Sequence, residues 1–290
     1  MADSIFSNIL ISGSGFMGTH IAYLITQKTL GKVIVYDSNQ SSLEKSKATI
    51  TDIGQKAIGK AKLLDSEFAS MLSRLTFTNS IDSVSNCDLV IEAIFENLAI
   101  KQELFATLDK VMPNHCIFAT NTSSLSVTQI SAKTKRTSQF IGMHFFSPAH
   151  IMKLIELIPG LDTSSQTIAK IKDFSLQLGK EVVMANDFPG FITTRLGLVL
   201  INEAIYTLME GISSKEEIDT AMKLGYNHPM GPLELADFIG LDVCLNILNR
   251  LYEGFSDSKY RPCPLLKNYV AANHLGRKTG SGFYDYSRST

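Results

Sequence analysis

The apolar run Ile9-Leu10-Ile11 leads into Gly13-Ser14-Gly15-Phe16-Met17-Gly18, and a second apolar run ends at Asp37, about 20 residues on. Gly-rich turns are common, so G-x-G-x-x-G alone constrains little. Here a strand precedes it, a helix follows it, and an acid closes the next strand. That combination meets the context of a dinucleotide-binding βαβ unit. Gly13 permits the tight turn, Gly15 lets the backbone approach a pyrophosphate, and Gly18 lets helix and strand pack closely. Phe16 and Met17 open the helix, whose unpaired N–H groups and positive dipole end face the phosphates. Asp37 can accept from the ribose hydroxyls and repels a 2′-phosphate. Ser38 and Asn39 follow with no Arg, so NAD is expected rather than NADP. The competing reading is a glycine turn in a Rossmann-like domain that no longer holds a dinucleotide.

Short Ile-, Val- and Phe-rich runs continue after Asp37 at 75–78, 88–94 and 140–145, with IFAT between them, each reading as a buried strand. Helices are expected over 17–29, 40–62 and 98–111, and strands alternating with helices build a mostly parallel α/β sheet. A further β–α–β element covers 153–158, 165–178 and 181–185. Pro and Gly in Asp187-Phe-Pro-Gly190 then break the chain. Beyond them 191–210, 214–224, 231–253 and 263–273 read as helices. The expected organisation is a Rossmann-type domain over 1–188 and a smaller all-helical domain over 189–290 for substrate binding and dimerisation.

Composition narrows the partners. With 27 Lys and Arg against 28 Asp and Glu, the chain lacks the basic surface that general nucleic-acid binding needs. No stretch approaches the roughly 20 apolar residues of a membrane helix. The opening MADSIFSNILISG has neither a cationic start nor a long apolar run, so no secretory signal is expected. Cys87, Cys116, Cys244 and Cys263 are scattered, fitting free thiols in a reducing compartment. The expectation is a cytoplasmic protein with no metal site, since no His, Cys or carboxylate pair has ligand spacing.

Five further segments carry family information. They are Asn121-Thr-Ser-Ser-Leu125, His144-Phe-Phe-Ser-Pro148 with Lys153-Leu-Ile-Glu156, Gly276-Arg-Lys-Thr-Gly-Ser-Gly-Phe-Tyr284, PGFITTR at 189–195 and NHPMGPLELADFIGLD at 227–242. Together, in order and over nearly the whole chain, they resemble the L-3-hydroxyacyl-CoA dehydrogenase family, especially its short-chain bacterial 3-hydroxybutyryl-CoA members. The resemblance implies an NAD-dependent oxidoreductase of fatty acid metabolism, active on an acyl-CoA and dimeric through its C-terminal domain. It places the catalytic histidine at His144, its acidic partner at Glu156, and a serine contacting both acyl oxygen and cofactor at Ser123. It assigns Glu96, Lys101 and Lys278 to the nicotinamide half of NAD and Lys60 to CoA. Thr194 stands where many members carry Asn, which puts its role in orienting the substrate in doubt.

The chemistry is coherent. Oxidising a 3-hydroxyl needs a base for its proton while hydride leaves the same carbon, and imidazole serves in both directions. A carboxylate on the far ring nitrogen fixes the tautomer and stabilises the imidazolium. Ser123 would donate to the developing carbonyl oxygen. The bland alternatives are a packed histidine between Met143 and Phe145, a turn serine, and a solvated lysine face over Lys45, Lys47, Lys56, Lys60 and Lys62. Two other functions stay open: a dehydrogenase of a free hydroxy acid or sugar acid, and a non-catalytic dinucleotide-binding protein.

Overall fold

A computed structural model describes residues 3–287. Met1 and Ala2, the start of the expected leader-free N-terminus, lie outside the described residues. The chain divides into two compact units between Asp187 and Phe188.

The first unit runs β1 (Asn8–Ser12), α1 (Phe16–Lys28), β2 (Lys32–Tyr36), α2 (Gln40–Gly59), α3 (Asp65–Ser73), β3 (Leu75–Thr78), β4 (Leu89–Glu92), α4 (Leu98–Val111), β5 (Ile117–Thr120), α5 (Val127–Ser131), β6 (Phe140–Phe145), β7 (Leu154–Pro159), α6 (Ser165–Gln177) and β8 (Glu181–Met184). The strands form one sheet in the order β3-β2-β1-β4-β5-β6-β7-β8. All adjacent strands are parallel except β6 and β7, which run antiparallel. This is the mostly parallel α/β sheet expected. Chain order reverses between β1 and β4, the switch point where such sheets open a crevice at their carboxyl ends.

The central strands are buried throughout because helices cover both faces, so their sequences show no alternation. Ile9, Ile11, Val33, Val35, Leu89 and Ile91 share one core cluster, and each such side chain contributes about 1.5–3 kcal/mol by leaving water. Helix starts are fixed locally: Asn39, Asn97, Ser126 and Ser164 each accept a first-turn N–H of their helix. Two expectations for this unit need correcting. β3, read as a buried strand, lies at the sheet edge and is largely half-buried. The periodicity also passes over α3, whose buried face is only Phe68 and Met71.

The second unit is helical: α7 (Thr193–Met209), α8 (Lys215–Gly225), α9 (Pro232–Ile239), α10 (Leu241–Phe255) and α11 (Pro264–Ala271). Leu198, Ile201 and Ile205 on α7 pack with Leu241, Cys244, Leu248 and Leu251 on α10, a helical stripe on each. The single helix expected over 231–253 is two, because Gly240, at φ 104°, ends α9 and turns the chain into α10. Asp237, at the end of α9, accepts the Phe283 and Tyr284 N–H groups at 2.9 Å each. It thereby ties the C-terminal segment onto this core.

Candidate active site

The glycine turn after β1 is held from two sides. The Gly13 N–H donates to the Tyr36 carbonyl at 2.8 Å, and the Ser14 N–H and hydroxyl both donate to Asp37 Oδ2, each at 2.8 Å. The other Asp37 oxygen takes the Asn39 N–H at 2.9 Å. A cavity of about 830 Å³ opens beside this turn, lined by Gly13, Gly15, Asp37, Phe95, Ile100 and Leu104 among others. A dinucleotide fits the residues present. A Cβ on Gly18 would overlap the Gly13 carbonyl oxygen, and one on Gly13 would overlap Ala93. At Gly15 a Cβ meets nothing within 4 Å, so this glycine keeps space open. The α1 N-terminus has no acidic residue in its first turn to compete with a phosphate. Phe16 is exposed there and Met17 half-buried.

His144 and Glu156 face each other directly across the β6–β7 pair. His144 Nδ1 lies 2.8 Å from Glu156 Oε2, and both residues are buried. Twelve residues apart in sequence, they meet because the antiparallel turn of β7 places them in register. The Phe146 ring lies 4.6 Å from the imidazole. Asn121 Oδ1 accepts the Phe145 N–H at 2.8 Å, which ties the segment after β5 to the carboxyl end of β6.

Ser123 follows the carboxyl end of β5, and its turn is gathered by one carboxylate oxygen. Glu96 Oε1 accepts the Thr122 hydroxyl at 2.6 Å, the Ser123 N–H at 3.1 Å and the Ser124 N–H at 3.2 Å. The Ser123 hydroxyl is a longer donor to the same oxygen, at 3.4 Å. Burial alone would raise the Glu96 carboxyl. The Lys101 charge and the Thr122 and Ser123 hydrogen bonds outweigh it and hold the carboxyl below its ordinary value. Lys101 is 1% exposed, with Nζ 3.2 Å from Glu96 Oε2 and 2.5 Å from Glu92 Oε1.

Other residues singled out in the sequence stand elsewhere. Lys60 caps the C-terminus of α2, and Lys56 pairs with Asp52 on that helix at 2.7 Å. In the second unit Thr194 lies in the first turn of α7, and Lys278 Nζ holds both Asp242 oxygens at 2.5 and 2.6 Å. No group of metal-ligating side chains occurs among the described residues. Sequence reading missed Ser14, Glu92, Asn121 and Asp187. Asp187 accepts the Ser126 hydroxyl and the Val127 and Thr128 N–H groups, all at 2.8 Å, at the start of α5. For Glu92 the available signal was a carboxylate at the end of an apolar run, which needs a partner once buried.

Comparison with known proteins covers both units. Residues 8–188 match the model of the 3-hydroxyacyl-CoA dehydrogenase NAD binding domain, and residues 190–286 match that of the 3-hydroxyacyl-CoA dehydrogenase C-terminal domain. The chain is 46% identical over 282 residues to a probable 3-hydroxybutyryl-CoA dehydrogenase of Bacillus subtilis (97% of this chain, 98% of the relative). It is 42% identical over 289 residues to the mitochondrial hydroxyacyl-coenzyme A dehydrogenase of Homo sapiens (97% and 92%). A crystal structure of (S)-3-hydroxybutyryl-CoA dehydrogenase from Ralstonia eutropha superposes with TM-score 0.94 at 43% identity, covering 98% of this chain and all of that one.

Proposed function

The chain belongs to the 3-hydroxyacyl-CoA dehydrogenase family, and on that premise we propose that it interconverts a short-chain 3-hydroxyacyl-CoA and its 3-oxo ester, 3-hydroxybutyryl-CoA and acetoacetyl-CoA being the pair. The observation that carries this reading is the 2.8 Å contact between His144 Nδ1 and Glu156 Oε2 beside the carboxyl edge of a dinucleotide-type sheet. Bound NAD supplies the hydride acceptor. His144 takes the substrate hydroxyl proton during oxidation and returns it during reduction. Glu156 keeps the ring proton on Nδ1, leaving Nε2 as the basic nitrogen, and stabilises the imidazolium that forms. The Ser123 hydroxyl turns from its long Glu96 contact to the carbonyl oxygen as that oxygen gains charge.

Gly13, Gly15, Phe16, Met17, Gly18 and Asp37 hold the adenosine and pyrophosphate part of NAD, and the family resemblance assigns Glu96, Lys101 and Lys278 to its nicotinamide half. Lys60 meets a CoA phosphate, and the Thr194 hydroxyl gives the substrate one hydrogen bond. Residues 1–188 form the cofactor domain and 189–290 the substrate and dimerisation domain. Support for a homodimer comes from Leu196, Ile212, Leu224 and Tyr226, large apolar side chains left exposed in the second unit. A cytoplasmic location is supported by four buried cysteines, all unpaired. No helix among the described residues is long and apolar enough to cross a membrane.

NADH consumption with acetoacetyl-CoA, run beside NADPH and beside free acetoacetate, tests the reading. Turnover with NADH and the thioester alone is expected. Equal turnover of free acetoacetate would replace the acyl-CoA assignment with a free-acid one, and NADH binding without turnover of any substrate would overturn catalysis.

A further inference from the structure

The cavity beside the glycine turn has a second wall, which the hydride and proton transfers leave unused. Ile100, Glu103, Leu104 and Thr107 line it from α4, with Ile81 after β3 and Ile94 after β4. The four α4 residues are spaced i, i+3, i+4 and i+7, so a single helix face is turned to the cavity. Ile81, Ile94, Ile100 and Leu104 give this wall an apolar surface of the kind that covers a flat ring. Its polar atoms on α4 can only accept. The Glu103 side chain has no hydrogen bond or ion pair among the described residues, and no Lys or Arg among them lines the cavity. Thr107 donates its hydroxyl proton to the Glu103 carbonyl at 2.9 Å, which leaves its oxygen an acceptor.

We propose that Glu103 reads the base of the dinucleotide, accepting the 6-amine of adenine while the four apolar side chains cover the ring; this rests on the functional reading above, in which Asp37 receives the ribose. Base and pyrophosphate leave the ribose from its two ends. A pyrophosphate at Gly15 and a ribose at Asp37 therefore direct the base to the α4 wall of the same cavity. Adenine presents an amine donor at position 6, whereas a 6-oxopurine presents an acceptor there. A carboxylate with no other partner takes the donor and opposes the acceptor, so the wall selects an aminopurine.

The test is fluorescence titration, without acyl substrate, of NADH and of its analogue carrying an unsubstituted purine, which lacks the amine alone. Wild type should bind NADH at least about tenfold tighter than the analogue, or about 1.4 kcal/mol. Glu103→Leu should bind both within about twofold of each other, by weakening NADH and not the analogue. Glu103→Gln keeps a neutral acceptor and should retain a preference of about threefold. Glu103 is exposed, so both variants should melt with the wild type. Ile100→Trp, at a position 45% exposed, fills the apolar wall and should weaken both nucleotides equally, by at least about tenfold. Unchanged binding in Ile100→Trp would place the base elsewhere and overturn the cofactor placement and the proposal together. Weakened binding in Ile100→Trp, with the same NADH preference in wild type and Glu103→Leu, overturns the Glu103 role alone. Equal affinity of wild type for the two nucleotides overturns that role as well. No acyl-CoA takes part, so inactivity on acetoacetyl-CoA, which would fail the functional reading, leaves each of these outcomes decisive.

Discussion

Asp37 and Ser14 are joined by two hydrogen bonds to one oxygen, the Ser14 N–H and hydroxyl both lying 2.8 Å from Asp37 Oδ2. The acid expected to read the ribose therefore also clamps the glycine turn, and the two duties can be separated. Asp37→Asn keeps an acceptor for the turn but removes the charge that repels a 2′-phosphate. The NADPH-to-NADH ratio of kcat/KM should rise by one to two orders of magnitude, or about 1.4–2.8 kcal/mol. Ser14→Ala keeps the charge and loosens the turn. It should raise the NADH KM severalfold with the cofactor ratio unchanged. A ratio that moved equally in both variants would show that turn geometry, not charge, selects the cofactor.

The register of β6 against β7 makes a second prediction. His144→Gln removes the base and should lower kcat by about 10²–10⁴-fold. Glu156→Gln leaves the ring but lets the wrong nitrogen carry its proton, so its loss should fall in the same range. NADH titration should give near wild-type affinity for both, because neither residue lines the cavity beside the glycine turn. Turnover persisting in His144→Gln would remove His144 from the reaction.

The local parts of this site were legible in the sequence, and the non-local parts were not. Gly13, Gly15, Gly18 and Asp37 belong to a motif whose mechanics are written within one βαβ unit. The parallel strands were readable because buried strands are continuous apolar runs. Whether a strand ends at the sheet edge depends on the order of the whole sheet, so β3 looked like its buried neighbours. Helical periodicity continues across 231–253, and only the positive φ of Gly240 shows that the axis changes there. Glu92 carried a signal, a carboxylate in Leu-Val-Ile-Glu, but its partners Lys101 and Thr120 come from two other elements. No spacing rule joins those three.

Two glycines of the turn should fail in opposite ways. A methyl at Gly18 must displace the Gly13 carbonyl, so Gly18→Ala should cost about 1–3 kcal/mol of stability as an overpacked contact. Gly15 has open space in place of a neighbour and φ of −66°, which any residue adopts. Gly15→Ala should leave stability within about 0.5 kcal/mol of wild type. It should weaken NADH binding at least tenfold, about 1.4 kcal/mol, by filling the space for the pyrophosphate. Thermal melts without cofactor and NADH titrations separate the two effects. Tight NADH binding by Gly15→Ala would mean that the pyrophosphate does not cross this position.

His20 provides the pH test. It is buried on α1 beside Phe16, faces the His150 ring at 4.8 Å, and its Nδ1 has no hydrogen-bond partner among the described residues. Burial, and then the neighbouring His150, push its pKa down to about 4. In the unfolded chain the same imidazole titrates near 6.5. Between those values the unfolded state binds the extra proton and the folded state does not. Stability is therefore fully present above about pH 6.5 and is lost progressively as pH falls toward 4. Burial lowers His150 as well, with the Lys180 charge second, so it adds to the same trend. His20→Leu removes one titrating group and the unsatisfied ring nitrogen together. Between pH 7.5 and 5 the wild type should lose about 1 kcal/mol more than the variant, or about 2–4 °C in melting temperature for a domain of this size. Parallel melting curves at the two pH values decide it: equal falls in both proteins would mean that His20 takes up its proton in the folded state without penalty.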